Sequence, residues 1–314
     1  MELAVKIEAS APSNIALIKY MGKTSMQNNL PSNPSLSFTL EHLRSFVTIE
    51  PAGDRDLWAP LEGLPRLSLS DAGEAKFLGH FARLKEHWKI PEYYTVRSAN
   101  NFPSDCGLAS SAASFAALTL AVYELAKRKS LVGEVSPQDL SRLARQGSGS
   151  SCRSLFTPWA LWRDDGAEKA GIDWHLDHAV LVVNEGKKQV SSSQAHIRVS
   201  SSLLYPGRIA RAEARLSELS SALQARSWRQ CFELCWAEFQ DMHALFETSR
   251  PSFGYLTPES QRALAHLRQI WHETDDGPLV TMDAGANVHL LIRPEQTTKA
   301  NQWLQGWNAI KSWS

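Results

Sequence analysis

Residues 107–128, GLASSAASFAALTLAVYELAKR, form a run that no solvent-facing element could carry. Apolar side chains fall on most sides of a 3.6-residue repeat, and the charged ones, Glu124, Lys127 and Arg128, gather at its far end. A helix that is apolar all round has to be enclosed, so the rest of the chain must wrap it. With 314 residues there is enough chain to do so, because a chain of this size removes about three quarters of its unfolded surface from water. The same run is approached through Pro103 and opens on Gly107, Leu108, Ala109, Ser110 and Ser111. Small residues at that density bury little and cost backbone entropy. A helix start leaves about four N–H groups unpaired and carries partial positive charge, which suits a phosphate. Gly107 would admit a polyphosphate close to the backbone, Ser110 and Ser111 would add hydroxyls for phosphate or a metal ion, and Pro103 would fix the path of the chain. Close packing against a neighbouring helix explains the small residues equally well at this point.

Around this helix the pattern is mixed. LAVKIEA (3–9), SFVTIEP (45–51), YYTVRSA (93–99) and DHAVLVVNE (177–185) read as strands, and GPLVTMDAGANVHLLIRP (277–294) as two strands around a turn. KFLGHFARLKEHW (76–88) has helical spacing, and PQDLSRLARQGSGSSCRSLF (137–156) begins as a helix and becomes a Gly/Ser segment. VSSSQAHIRVSSSLLYPGR reads as a polar loop. Long amphipathic helices follow, one with Ile209, Leu216, Leu219 and Leu223 on one face and another at 227–247. Trp303, Trp307 and Ile310 recur at helical spacing and read as core packing. Strands and helices without strict alternation predict an α+β protein. The change of character near 187–200 predicts an N-terminal lobe, 1–187, and a C-terminal lobe, 188–314.

Lys+Arg and Asp+Glu both number 33, a balance that argues against a dedicated nucleic-acid binder. No apolar run reaches the ~20 residues that span a bilayer, and the N-terminus MELAVKIEAS does not read as a signal peptide. Cys106, Cys152, Cys231 and Cys235 suggest neither a zinc site nor a disulfide framework, which makes the cytoplasm the expected home. His175 and His178 lie at i,i+3 where a strand begins and so point to opposite faces, which argues against a shared metal. The string 22-GKTS-25 ends like a phosphate-binding P-loop, but Leu17 stands where that motif needs glycine, and a loop-like stretch follows where it needs a helix.

PSDCGLASSAA resembles the phosphate-binding motif of the GHMP kinase superfamily. Three further stretches, 11-APSNIALIKYMGK-23, 147-GSGSSCRS-154 and 281-TMDAGAN-287, narrow the resemblance to the diphosphomevalonate decarboxylase family. The four occur in that family's order between about residues 10 and 290. The resemblance implies a GHMP kinase fold of two α/β lobes, with nucleotide and substrate meeting in the cleft between them. It implies ATP as co-substrate, Mg2+, small-molecule substrates rather than nucleic acid or membrane, and a homodimer as one assembly. The implied reaction is ATP-dependent decarboxylation of mevalonate 5-diphosphate to isopentenyl diphosphate.

That chemistry needs a diphosphate, a carboxylate and a triphosphate held together, and a hydroxyl proton removed. By resemblance Asp283 orients the substrate's 3-hydroxyl and accepts its proton, although an isolated Asp in such a turn more often makes an Asx turn. Arg153 clamps the substrate carboxylate, in a planar two-point contact that lysine cannot reproduce. Lys19 lies near the reacting centre. Tyr20, Lys23, Ser148, Gly149 and Ser150 serve the diphosphate, and Ser192, Ser193 and His196 belong to the second-lobe substrate loop. Pro103, Gly107, Leu108, Ala109, Ser110 and Ser111 serve ATP, with Ser110 or Ser111 on a magnesium ion held mainly by the nucleotide. Met21, Pro34, Ala286 and His196 depart from the usual pattern, and Met21 and His196 bear on the substrate pocket. Two rival readings remain: a 3-kinase or monophosphate-specific decarboxylase of the same fold, and a nucleotide-binding regulatory protein without turnover.

Overall fold

The computed structural model describes residues 6–313, except 26, 66, 104–109 and 184–188. Its elements are β1 (Ile7–Ile18), β2 (Lys23–Ser25), β3 (Leu30–Pro31), β4 (Ser35–Pro51), β5 (Leu57–Pro60), α1 (Asp71–His87), β6 (Tyr94–Asn100), α2 (Ser110–Arg128), α3 (Pro137–Gly147), a 3-10 segment (Gly149–Leu155), β7 (Trp159–Trp162) and β8 (Ala167–Lys169). There follow β9 (Asp177–Leu181), α4 (Ser192–Arg198), α5 (Arg208–Gln224), α6 (Trp228–Glu247), α7 (Pro258–Thr274), β10 (Leu279–Thr281), β11 (Val288–Ile292), α8 (Thr297–Trp303) and β12 (Ala309–Lys311).

The 17-residue β4 is the spine of the first sheet. It carries β1 along one edge, with Ile7 opposite Ile49 and Ile18 opposite Leu36, and β7 and β6 end to end along the other. Alternation puts Ile7, Val47, Ile49 and Val96 on one face, where they pack against Phe77 and Phe81 of α1 and the alanine-rich α2. The chain does enclose α2: Ala112, Ala113, Ala116, Ala117 and Ala121 are fully buried. Alanine at these positions is both the best helix former and short enough for close approach. The opposite face, with Ile15, Leu17, Phe38 and Trp159, packs against Val180, Leu216, Leu219 and Leu223.

The second sheet has the order β10-β11-β9-β12 and is antiparallel throughout. β9 precedes residue 187, and its hydrogen-bonded partners are β11 and β12. α6 and α7 cover this sheet through Phe239, Ala263, Leu264 and Leu267, against Val280, Val288 and Leu290.

Three segments differ from the reading of the sequence. The polar stretch after Val190 contains α4, started by a capping box in which the Ser191 hydroxyl accepts from the Gln194 N–H and the Gln194 side chain accepts from the Ser191 N–H. Ile209 is 45% exposed, so the buried face of α5 runs through Ala212, Leu216 and Leu219 instead. The tail leaves its helix at Trp303 and ends in β12 against β9, while Trp303 and Trp307 pack on the second-sheet core as expected. Edge pairing fixes that last segment, and helical spacing cannot register it.

Candidate functional site

One cavity of about 740 Å³ opens where the end of β1, the starts of α1 and α2, the 3-10 segment, α4 and the turn after β10 converge. Its lining includes Lys19, Tyr20, Lys23, Ser110, Ser111, Ser148, Gly149, Ser150, Arg153, Ser192, Ser193, His196 and Asp283, so these sequence-predicted residues share one space. Pro103 is described and exposed. Gly107, Leu108 and Ala109 lie outside the described residues.

The tightest feature is an ion pair. Lys19 leaves the end of β1 and Asp283 sits in the turn after β10; Lys19 Nζ donates to Asp283 Oδ1 at 2.6 Å. Lys19 is 2% exposed, whereas the Asp283 side chain keeps 31% of its surface open. Burial alone would raise the Asp283 carboxyl, but the Lys19 ammonium, with His289 and Arg153, holds it below the usual carboxylate value. Asp283 is therefore ionised, with Oδ1 tied to lysine and the side chain still partly open in the cavity lining. The turn is fixed from behind, where His243 Nε2 donates to the Asp283 carbonyl at 3.2 Å and Ser260 Oγ donates to the Ala286 carbonyl at 2.7 Å.

Arg153, in the 3-10 segment, is 4% exposed. Its Nε donates to Asn14 Oδ1 at 3.2 Å, and Asn14 in turn donates to Ser154 Oγ at 2.8 Å and to the Ser150 carbonyl at 3.2 Å. Arg153 Nη1 has no hydrogen-bond partner among the described residues, and neither does the buried Tyr20 hydroxyl. A buried donor left without an acceptor is costly, so each calls for an oxygen supplied by a ligand. Burial also pushes the Tyr20 phenol well above its ordinary value, which keeps it a donor.

Gly149 faces the Tyr20 ring so closely that a Cβ there would lie 2.8 Å from Tyr20 Cε1. Gly149→Ala is expected to displace that ring and cost about 1–3 kcal/mol of stability. Thermal denaturation measures this, and an unchanged midpoint would show that the ring yields freely. The His196 ring packs against Tyr20 at a tilt of 40° with centroids 4.2 Å apart, and its Nδ1 accepts the Gly22 N–H at 3.0 Å. Burial, then Lys23 and Arg153, lower this imidazole to about 3. It is thus neutral, and its proton sits on Nε2.

Sequence reading missed several lining residues, namely Asn29, Ser68, Ser70 and Lys76. Asn29 accepts from Lys23 Nζ at 2.7 Å and is anchored to the Arg145 and Gln146 carbonyls. Lys76 lies on an exposed flank of α1, with its Nζ 5.2 Å from the centroid of the buried Phe115 ring, and an exposed helical lysine normally signifies only solvent. Lys19, Lys23, Lys76 and Arg153 set four cations against the single carboxylate of Asp283 in the lining. Burial and then Lys76 lower Lys23 to about 8, and burial lowers Lys76 as well. Like charges crowded into a partly desolvated space favour a polyanionic guest.

Among the described residues, no group of three or more His, Cys, Asp or Glu could hold a metal ion, and no helix is long and apolar enough to cross a membrane. The first turn of α2 holds no acidic side chain. Hydroxyls without carboxylates fit a magnesium ion that arrives on phosphate oxygens, rather than one caged by protein.

Two family models match. One, described as the diphosphomevalonate decarboxylase-like N-terminal domain, covers residues 11–172; the other, the mevalonate 5-diphosphate decarboxylase C-terminal domain, covers 178–311. A diphosphomevalonate decarboxylase from Ganoderma lucidum is 36% identical over 324 aligned positions, which cover 93% of this chain and 79% of that one. A crystal structure of a mevalonate diphosphate decarboxylase from Legionella pneumophila superposes with a TM-score of 0.92 at 41% identity, over 98% of this chain and 100% of that one. A second solved structure, a complex with MVAPP, AMPPCP and magnesium, has a TM-score of 0.87 at 29% identity over 98% and 96% of the two chains.

Proposed function

The chain belongs to the diphosphomevalonate decarboxylase family, and from that premise we propose how its cavity performs the reaction. The enzyme converts mevalonate 5-diphosphate and ATP to isopentenyl diphosphate, ADP, phosphate and carbon dioxide, a step of the mevalonate pathway, on a GHMP kinase fold. A tertiary hydroxyl is a poor leaving group, so it is phosphorylated first. Loss of phosphate and carbon dioxide then forms the double bond.

The observation that carries the residue assignment is the Lys19–Asp283 pair sharing a cavity with an arginine whose buried Nη1 has no partner among the described residues. The Asp283 carboxylate accepts the hydroxyl proton as phosphoryl transfer proceeds. Arg153 takes the substrate carboxylate, oriented by Asn14. Tyr20, Lys23 and the Ser148–Ser150 stretch take the diphosphate, while His196, Ser192 and Ser193 close that end. Ser110 and Ser111, together with Pro103, Gly107, Leu108 and Ala109, take the nucleotide. The magnesium ion offsets phosphate charge when bound and would be held by the nucleotide and Ser110 or Ser111. A homodimer and a cytoplasmic location complete the proposal.

The test incubates purified protein with ATP, magnesium and mevalonate carrying zero, one or two phosphates, and follows ADP and carbon dioxide. Both products with the diphosphate are expected. ADP without carbon dioxide would mark a kinase, preference for the monophosphate would mark the other decarboxylase, and silence with all three would mark a regulatory protein.

A pH dependence follows from Lys23. Its charge is present below about 8 and lost above it, so the KM for the diphosphate substrate is expected to rise as pH passes through that value. Lys23→Met should remove the inflection; its survival in that variant would assign it elsewhere.

A further inference from the structure

The backbone of Lys19 lies one residue beyond the last β1–β4 pair, Ile18 opposite Leu36, so the strand ladder no longer serves it. Its N–H donates to Glu238 Oε1 at 2.9 Å, and its carbonyl accepts from Arg208 Nη2 at 2.9 Å and from Asn33 Nδ2 at 2.9 Å. Arg208 of α5 and Glu238 of α6 are themselves a two-point ion pair, and both are fully buried. Asp241 accepts from Arg208 at 2.7 Å and from Arg215 and Arg211 at 2.9 Å, and so holds the pair in turn.

A buried ion pair is a poor stabiliser, and an apolar pair of the same volume commonly does as well or better. What an apolar pair cannot do is bond both peptide groups of one lysine at once. We propose that Arg208 and Glu238 are positioning residues for the reaction: they grip the Lys19 backbone from the C-terminal helices and so aim its ammonium at Asp283. This inference rests on the catalytic reading of Lys19 and Asp283 given above.

Glu238 has a second effect. Burial lowers the Lys19 ammonium, and Asp283, Glu238 and Cys235 oppose that shift. The groups facing Lys19 are Asp283 from the turn after β10, Cys235, Glu238 and His243 from α6, and Arg208 from α5. Removing the Glu238 charge therefore shifts the Lys19 titration to lower pH. Activity that needs the ammonium is then lost earlier as pH rises.

The experiment measures carbon dioxide release from mevalonate 5-diphosphate, ATP and magnesium across pH for Glu238→Gln. A second variant, Arg208→Met with Glu238→Leu, removes both charges together and leaves neither unpaired. In each, kcat is expected to fall about 10²-fold with KM within about threefold; in Glu238→Gln the alkaline limb of the kcat profile is also expected to move to lower pH, whereas in the double variant the loss of the Arg208 cation offsets that of the Glu238 anion. Lost folding would reduce the active fraction without moving that limb. Wild-type kcat in either folded variant, or an unmoved limb in Glu238→Gln, would overturn the proposal. Asp283→Asn in the same assay separates the two readings. If it stays active, the catalytic assignment itself fails; if it is inactive while the Glu238 variants match wild type, only the positioning role fails.

Discussion

Asp283→Asn is expected to lower turnover by about 10³-fold while leaving substrate affinity within a few-fold of wild type. The substitution keeps the size of the side chain and its contact with Lys19 Nζ, which lies 2.6 Å from Oδ1. It removes the oxygen that can take up a proton. A group of this kind acts mainly in the transition state, so the loss should fall on kcat rather than on KM. Single-turnover measurements of ADP formation locate the defect: phosphoryl transfer should slow as much as carbon dioxide release. A variant that made ADP at the normal rate but released no carbon dioxide would move Asp283 to the second half of the reaction.

Arg153→Lys should reduce kcat/KM by about 10²-fold, or about 2.7 kcal/mol, despite conserving charge. The guanidinium has its Nε committed to Asn14 at 3.2 Å, while Nη1 has no partner among the described residues. A lysine ammonium cannot make both bonds in that plane. It would also give up the contact of the guanidinium with the Trp162 ring, 5.6 Å from its centroid. Kinetics near wild type would mean that the carboxylate is recognised by charge alone.

Much of the site was readable because its chemistry uses small residues and lone charges in unusual places. Asp283 directly ahead of Ala284 and Gly285, Arg153 after a Gly/Ser run, and serines heading an apolar helix all break the local pattern. Together with 11-APSNIALIKYMGK-23 these three make four motifs in order, and the four identify a family. The residues that escaped notice are those whose type suits an ordinary alternative. Lys76 and Arg208 sit on amphipathic helices, where a cation reads as solvated, and only packing shows that Arg208 is sealed inside. Asn14 stands in β1 next to Ser13, where a small polar residue reads as ordinary strand, and its contact with Arg153 spans 139 residues. α4 did leave a signal, the serine and glutamine three apart that cap it, but the surrounding serines read as loop.

The crowded lysines of the cavity have one more outcome. Lys23 falls from its ordinary 10.5 to about 8 when the chain folds, so between those values the unfolded chain binds the extra proton, and the folded molecule gains cohesion as the solution turns alkaline. Over the same interval it loses its attraction for anions. Robustness and capture thus trade places along a single titration, and the conditions that best preserve the empty enzyme on the bench are those in which it is least ready to work.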